Sequence, residues 1–209
     1  MKNFYIRFFS SCILAPIFLF ALFNIQILYL LSLIITFICC YEIFKNIKQL
    51  YLSFFLYLLV FLFIFALMET RGSNYINYIM SVWVVFIVWL SDIGGYVIGK
   101  LFKGPKLSSY SPNKTISGLV GSIVFSQFAL LIPIYFVNDF NFKYSIIIFQ
   151  LILSIISVAG DIFFSYFKRV NGIKDYSYFI PGHGGVLDRI DGLIFAFIFY
   201  YFIGFYYVI

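Results

Sequence analysis

Apolar positions run through this chain in long blocks, not in the alternation of strands or the one-sided stripes of soluble helices. Seven blocks can be drawn, at roughly 8–23, 25–44, 51–68, 76–98, 116–137, 144–167 and 186–208. About 20 apolar residues in helical form cross a hydrocarbon core of roughly 30 Å. Several blocks reach that length, and the first is short. Polar residues gather in the breaks. Two of these are long: GKLFKGPKLSSYSPNKT (99–115) and KRVNGIKDYSYFIPGHGG (168–185). The pattern predicts an all-α, polytopic transmembrane helical bundle of about seven spans, forming a single transmembrane domain over 1–209. The opening block, MKNFYIRFFSSCILAPIFLFALF, resembles a signal peptide, but no A-x-A site closes it and further spans follow. It is expected to be a retained first helix, bent near Pro16.

Composition sharpens the class. Of the 209 residues, 64% are hydrophobic and 11% charged, with a mean hydropathy of +1.04. Soluble domains carry about one quarter charged residues, so that class is excluded. The net charge of +6 would suggest nucleic acid in a soluble protein. In a membrane protein, Lys and Arg instead mark cytoplasmic loops. With the N-terminus in the cytoplasm, Lys2, Arg7, Lys45, Lys48, Lys100, Lys103, Lys106, Lys114, Lys168, Arg169, Lys174 and Arg189 all fall inside. Only Arg71 and Lys143 fall outside. A cytoplasmic N-terminus and no nucleic-acid partner are therefore expected. Cys12, Cys39 and Cys40 lie within apolar blocks and read as small buried hydrophobes.

The acids change the picture more. Glu69 and Asp139 sit in short outer loops, whereas Glu42, Asp92, Asp161, Asp175, Asp188 and Asp191 all fall at the cytoplasmic level. Asp92 and Asp161 lie inside apolar blocks. A carboxylate at that depth costs a few kcal/mol, about 2.5–3.5 on insertion scales, unless it is paired or solvated. Three helices carrying Asp92, Asp161 and the pair Asp188/Asp191 to one level predict a polar pocket open to the cytoplasm.

Local patterns give that pocket its chemistry. On a helix, Asp161, Ser165 and Lys168 share one narrow stripe, with Arg169 beside it. Asp188 and Asp191 are spaced i, i+3 and are expected to be neighbours. Paired carboxylates in a dry site require a cation, and Mg²⁺ is the hard, oxygen-seeking choice. The expected metal ligands are thus Asp161, Asp188, Asp191 and Asp92, with or without a second cation. In PGHGG (181–185) the glycines allow a concave turn whose N–H groups, including those of Gly184 and Gly185, meet an anion. His183 there is a candidate phosphate donor or acid. In SPNKT (111–115), Lys114 and Thr115 stand at the start of a helix, another phosphate-favouring position. Divalent metal, several cations and glycine loops beside lipid point to metal-assisted phosphoryl or nucleotidyl transfer onto a lipid. No G-x-x-x-x-G-K-[ST] pattern occurs, so a P-loop ATPase is not indicated.

The stretch SYFKRVNGIKDYSYFIPGHGGVLDRID (165–191) closely resembles the signature of the phosphatidate cytidylyltransferases, or CDP-diacylglycerol synthases. That signature runs S-x-hydrophobic-K-R, then K-D, then H-G-G, then D-R-hydrophobic-D, and every specified position is met. Looser similarity covers SDIGGYVIGKLF (91–102), with Gly95 where Ala is usual, and SPNKTISGLVGS (111–122), with Ser117 where Glu is usual. In GDIFFS (160–165), Phe164 stands where Glu is common. The resemblance covers roughly 91–192, the expected catalytic half.

The resemblance implies that CTP and phosphatidate react to give CDP-diacylglycerol and pyrophosphate with Mg²⁺. It implies catalytic roles for Asp161, Asp188, Lys168, Arg189 and His183. Substrate contacts would come from Lys114, Ser165, Arg169, Lys174, Asp175, Gly184 and Gly185. It also implies a bacterial-type inner membrane location, membrane lipids as partners, and a homodimer among the allowed assemblies. Two alternatives stand beside it. One is a related CTP-dependent transferase acting on another lipid phosphate or a polyprenol. The other is an ion or solute transporter, which predicts polar residues continuing across the membrane; in the sequence they stop at the cytoplasmic level.

Overall fold

The computed structural model describes residues 2–137, 144–180, 182 and 184–204. The expected helical blocks are all present: α1 (Lys2–Phe23), α2 (Ile25–Asn46), α3 (Leu50–Arg71), α4 (Tyr75–Phe102), α5 (Ile116–Ser126), α6 (Leu131–Phe136), α7 (Tyr144–Val170) and α8 (Leu187–Phe199). A 3₁₀ turn, Gln127–Leu130, joins α5 to α6, and a π-helical turn, Tyr200–Gly204, extends α8. Among the described residues the only extended pairings are two isolated bridges, Lys106 with Thr115 and Ile180 with Gly184. Among the described residues, five segments are long and apolar enough to cross a membrane: Ile25–Asn46, Leu50–Arg71, Tyr75–Phe102, Ile116–Phe136 and Tyr144–Val170. The apolar part of α1, Cys12–Phe23, is shorter. The chain is a multi-pass membrane bundle.

Helix ends follow local chemistry. The tight first connection is made by Asn24, whose side chain accepts from the Gln26 N–H at 3.0 Å and so caps α2. The C-terminus of α1 is closed by a residue from another helix. Arg71 is buried, donating from Nε to the Leu22 carbonyl and from Nη2 to the Phe23 carbonyl at 3.1 Å. Its guanidinium also lies over the Tyr78 ring, 5.1 Å from the centroid. A cation is favoured there because helix C-termini carry unsatisfied carbonyls and partial negative charge. Both long loops start later than the apolar pattern suggests. Helix α4 continues through Phe102 and α7 through Val170, so Lys100, Lys168 and Arg169 are helical.

Two close helix approaches set up the polar end. In α4, Gly94 and Gly95 meet Gly118, Gly121 and Ser122 of α5. A Cβ on Gly95 would stand 2.6 Å from Ser122 Oγ, and one on Gly121 would stand 2.5 Å from the Gly94 carbonyl oxygen. Small residues at such crossings let backbones touch, which is how helices pack where lipid removes the hydrophobic drive. Helices α7 and α8 meet in the same way. A Cβ on Gly160 would lie 3.0 Å from the Asp191 carbonyl oxygen, and one on Gly192 would lie 2.8 Å from Ser157 Oγ. The apolar core, built around Phe63, Trp83, Phe197 and Tyr200, fills the space between α3, α4 and α8.

Candidate active site

These approaches bring three carboxylates together from three helices: Asp92 on α4, Asp161 on α7 and Asp191 on α8. Asp161 and Asp191 come close where α7 meets α8, and Asp92 lines a cleft together with Lys114. The Gly192 site explains the closeness, since a Cβ there would fall 2.9 Å from Asp161 Oδ1. Lys114 Nζ is ion-paired with Asp161 Oδ2. Thr115 caps α5, its hydroxyl accepting from the Gly118 N–H at 3.1 Å. That cap and the Lys106–Thr115 bridge fold the 103–115 loop back over α4, carrying Lys114 to the acids. A cleft of about 200 Å³ opens beside them, with Asp92, Gly95, Tyr96, Asn113, Lys114 and Thr115 in its wall.

Asp188 lies elsewhere. Its Oδ1 accepts from Lys168 Nζ at 2.6 Å, and its Oδ2 accepts from the backbone N–H groups of Tyr176 at 2.8 Å and Gly185 at 2.9 Å. The Asp188 side chain is 1% exposed and that of Lys168 12%. Three donors, one of them cationic, satisfy this carboxylate. In this structure Asp188 is paired with Lys168 and two backbone amides, whereas Asp161 is paired with Lys114. Lys168 sits within that same pair and over the Tyr176 ring, 5.7 Å from its centroid.

The glycine turn is likewise engaged by the protein itself. Gly182 and Gly184 adopt positive φ of 76° and 89°, as a concave turn requires. The Gly184 N–H, however, donates to the Ile180 carbonyl at 3.2 Å, and the Gly185 N–H to Asp188. The anion that meets Gly185 is the protein's own carboxylate. His183 lies outside the described residues.

The remaining expected residues surround these two clusters. Ser165 is half-buried, one turn beyond Asp161 on α7. Arg169, Lys174 and Arg189 are exposed, and Arg169 Nη1 donates to the Ile173 carbonyl at 3.4 Å. Asp175 is half-buried; its Cβ would be 3.2 Å from a Cβ on Gly184. Phe164, at the position where Glu is common among the proteins it resembles, is fully buried against Phe163, Phe195 and Tyr176. Burial, with Asp188, Asp191 and Glu42 nearby, pushes the Tyr176 phenol well above its usual range, so it stays a neutral hydroxyl.

One residue without an expected role is central. Glu42 of α2 is fully buried, and its carboxylate accepts from Ser177 Oγ at 2.5 Å and from the Val186 and Leu187 N–H groups, each at 2.9 Å. The signal in the sequence was an acid in an apolar block; what it lacked was the identity of the partner.

Polar groups also extend deeper than the sequence indicated. Ser122 Oγ donates to the Ser91 carbonyl at 2.8 Å, Ser91 and Ser154 hydroxyls lie 3.3 Å apart, and Gln150 accepts from Trp83 Nε1 at 3.0 Å. These residues are uncharged and bonded to one another between helices. They tie α4, α5 and α7 together and bring no charged group further into the bundle.

The sequence profile of the cytidylyltransferase family matches residues 45–207. The chain is 43% identical to a phosphatidate cytidylyltransferase of Staphylococcus saprophyticus over 132 residues, covering 62% of this chain and 49% of that protein. A similar match, also 43%, is found with the phosphatidate cytidylyltransferase of Staphylococcus aureus strain COL, over 61% of this chain and 48% of that protein. The matched stretch spans about half the length of these staphylococcal relatives. A phosphatidate cytidylyltransferase of Rickettsia typhi is 34% identical over 92% of this chain and 88% of its own length.

Proposed function

This chain belongs to the cytidylyltransferase family, and from that premise we propose that it transfers the cytidylyl group of CTP to phosphatidate, releasing pyrophosphate and forming CDP-diacylglycerol. The observation that carries the proposal is the meeting of Asp92, Asp161 and Asp191 from three helices with Lys114, beside an open cleft.

The donor set fits a hard divalent cation. Among the described residues no three His, Cys, Asp or Glu side chains form a ready-made metal cage. Mg²⁺ is commonly held by one or two carboxylates, with substrate phosphates and waters completing its shell. The neighbouring acids Asp161 and Asp191, with Asp92 beside them, supply that number. Bound there, Mg²⁺ would neutralise phosphate oxygens and help align them.

The chain's own cations account for the rest. Lys114 reaches the acids from the loop before α5, and Arg189 adds a second charge near Asp92. Both suit the triphosphate. Arg169, at the end of α7, and Lys174, on the loop that follows, are exposed and suit the phosphate of the lipid. A phosphatidate oxygen attacks the α-phosphorus of CTP. One P–O bond forms there as the bond to the β-phosphate breaks, and pyrophosphate leaves with that electron pair. Phosphatidate is already anionic at neutral pH, so no protein nucleophile is required. Bringing two anions together is the main cost, which the cations offset. The positive-inside charge distribution supports a cytoplasmic N-terminus and an active site facing the cytoplasm, in a bacterial inner membrane.

The test is direct. Purified protein with CTP, phosphatidate and Mg²⁺ should yield CDP-diacylglycerol and pyrophosphate in equal amounts, and a chelator should stop the reaction. No product with any of several divalent ions would refute the assignment.

A further inference from the structure

We infer that Glu42, on α2, is a positioning residue for the reaction, holding residues 176–177 and 184–187 in register for the site formed by α7 and α8. Glu42 lies before the stretch matched by the family profile, 45–207, and outside the half of the chain that carries the signature motifs. Its carboxylate nevertheless binds that signature at two points. On one side it accepts from Ser177 Oγ, and on the other from the Val186 and Leu187 N–H groups.

Helix α8 needs this partner. Its N-cap residue is Val186, which has no side-chain acceptor. The first N–H groups of a helix lack internal partners and carry partial positive charge. Glu42 supplies both acceptor and charge from a distant helix. Asn46, one turn along α2, adds a third tie by donating from Nδ2 to the Tyr176 carbonyl at 2.5 Å. The fit leaves little slack, since a Cβ on Gly185 would be 2.7 Å from Glu42 Oε1.

The segment so held contains the amides of Tyr176 and Gly185 that orient Asp188, and Asp188 in turn fixes Lys168. Asp191 follows one turn later on α8, facing Asp161. The register set at 186–187 is therefore transmitted to the acidic pair. Glu42 touches no reacting group, so its effect is on placement.

The kinetic arm of the test rests on the transferase assignment, whereas the exchange arm does not. Glu42→Gln keeps size and shape but turns an amide N–H₂ toward a backbone N–H. Hydrogen exchange of the unliganded protein in detergent should speed up about tenfold or more for amides within 176–187, because bonds to a charged acceptor are worth at least that factor. Peptides of α5 should be unchanged. Turnover should fall about 100-fold, the scale expected for a displacement near 1 Å, with KM for CTP altered less than about threefold if placement alone is affected. A merely structural role would instead raise exchange in α5 as well and lower the yield of folded enzyme without that kcat–KM split. Unaltered exchange at 176–187 would overturn the inference, even if wild-type transfer activity is absent. If Glu42→Gln cannot be recovered folded, Asn46→Ala carries the same exchange test, and no local change there would equally overturn it.

Discussion

Replacing Asp188 by Asn separates two roles for this carboxylate. The side chain keeps its size but exchanges one acceptor for an N–H₂ donor. If the amide oxygen stays with the Tyr176 and Gly185 N–H groups, the new donor faces the Lys168 ammonium. If it flips, the donor faces the two backbone amides. Either way one donor meets another in a place where Asp188 is 1% and Lys168 12% exposed. Breaking a buried pair from one side costs about 3–5 kcal/mol. We take the lower end, about 3 kcal/mol, because Asn keeps part of the bonding. For a chain of this size that corresponds to a fall of about 6–12 °C in Tm. The assay is thermal unfolding in detergent with a chelator present, at one scan rate. Lys168→Met should also destabilise. The double variant should cost less than the two single changes added, by about 1–3 kcal/mol of coupling. If Asp188→Asn melted within about 2 °C of wild type without metal and lost only its Mg²⁺-dependent stabilisation, Asp188 would be a metal ligand and the socket described above would be wrong.

Other outcomes follow from separate parts of the bundle. Gly121→Val should push α5 off α4, because even a Cβ would crowd the Gly94 carbonyl; expect transfer activity reduced at least tenfold and a broadened elution profile, while Val124→Ala on the exposed side of α5 changes neither. Lys114→Met removes the cation paired with Asp161 while leaving stability nearly constant, Lys114 being 28% exposed; kcat/KM should fall about 10²-fold or more, as for loss of one aimed charge, and a loss under threefold would exclude Lys114 from substrate binding. Gln150→Leu leaves the Trp83 N–H unpaired in the core, at a cost of about 1–3 kcal/mol; thermal unfolding should show it, with activity at low temperature little changed.

Much of this architecture was legible in the sequence, and the boundary of legibility is physical. Long apolar blocks fix helices because every backbone polar group in lipid must be bonded within its own segment. The convergence of Asp92, Asp161 and Asp191 was legible because a carboxylate in an apolar block has to find company. Which carboxylate finds which partner was not. The i, i+3 spacing of Asp188 and Asp191 describes the surface of a continuous helix. Asp188, however, lies in the first turn of α8, where its side chain turns back onto the preceding amides. The glycine turn reads in the sequence as a place for an anion, but an N–H group binds a carboxylate as readily as a phosphate. The sequence therefore left the occupant open, and Asp188 occupies it. The depth of the serine and glutamine contacts was also hidden, because one hydroxyl in a span becomes informative only when the facing helix supplies its partner.

The two acid clusters divide the work of a charged site in an apolar bundle. Glu42 and Asp188 are fully bonded by N–H, O–H and ammonium donors, so their charges are neutralised internally and fix backbone. Asp92, Asp161 and Asp191 have fewer donors: Asp191 accepts from the Gly192 N–H, and Asp161 is paired with Lys114, which comes from a loop. Carboxylates held close together with so few donors are destabilised by mutual repulsion. The rigid first cluster makes that repulsion tolerable, since it prevents α7 and α8 from relaxing apart. Under the proposed function, a cation and the phosphates it accompanies would relieve the repulsion by binding, and the affinity of the site for them would derive in part from the anchoring of a loop that need not touch them.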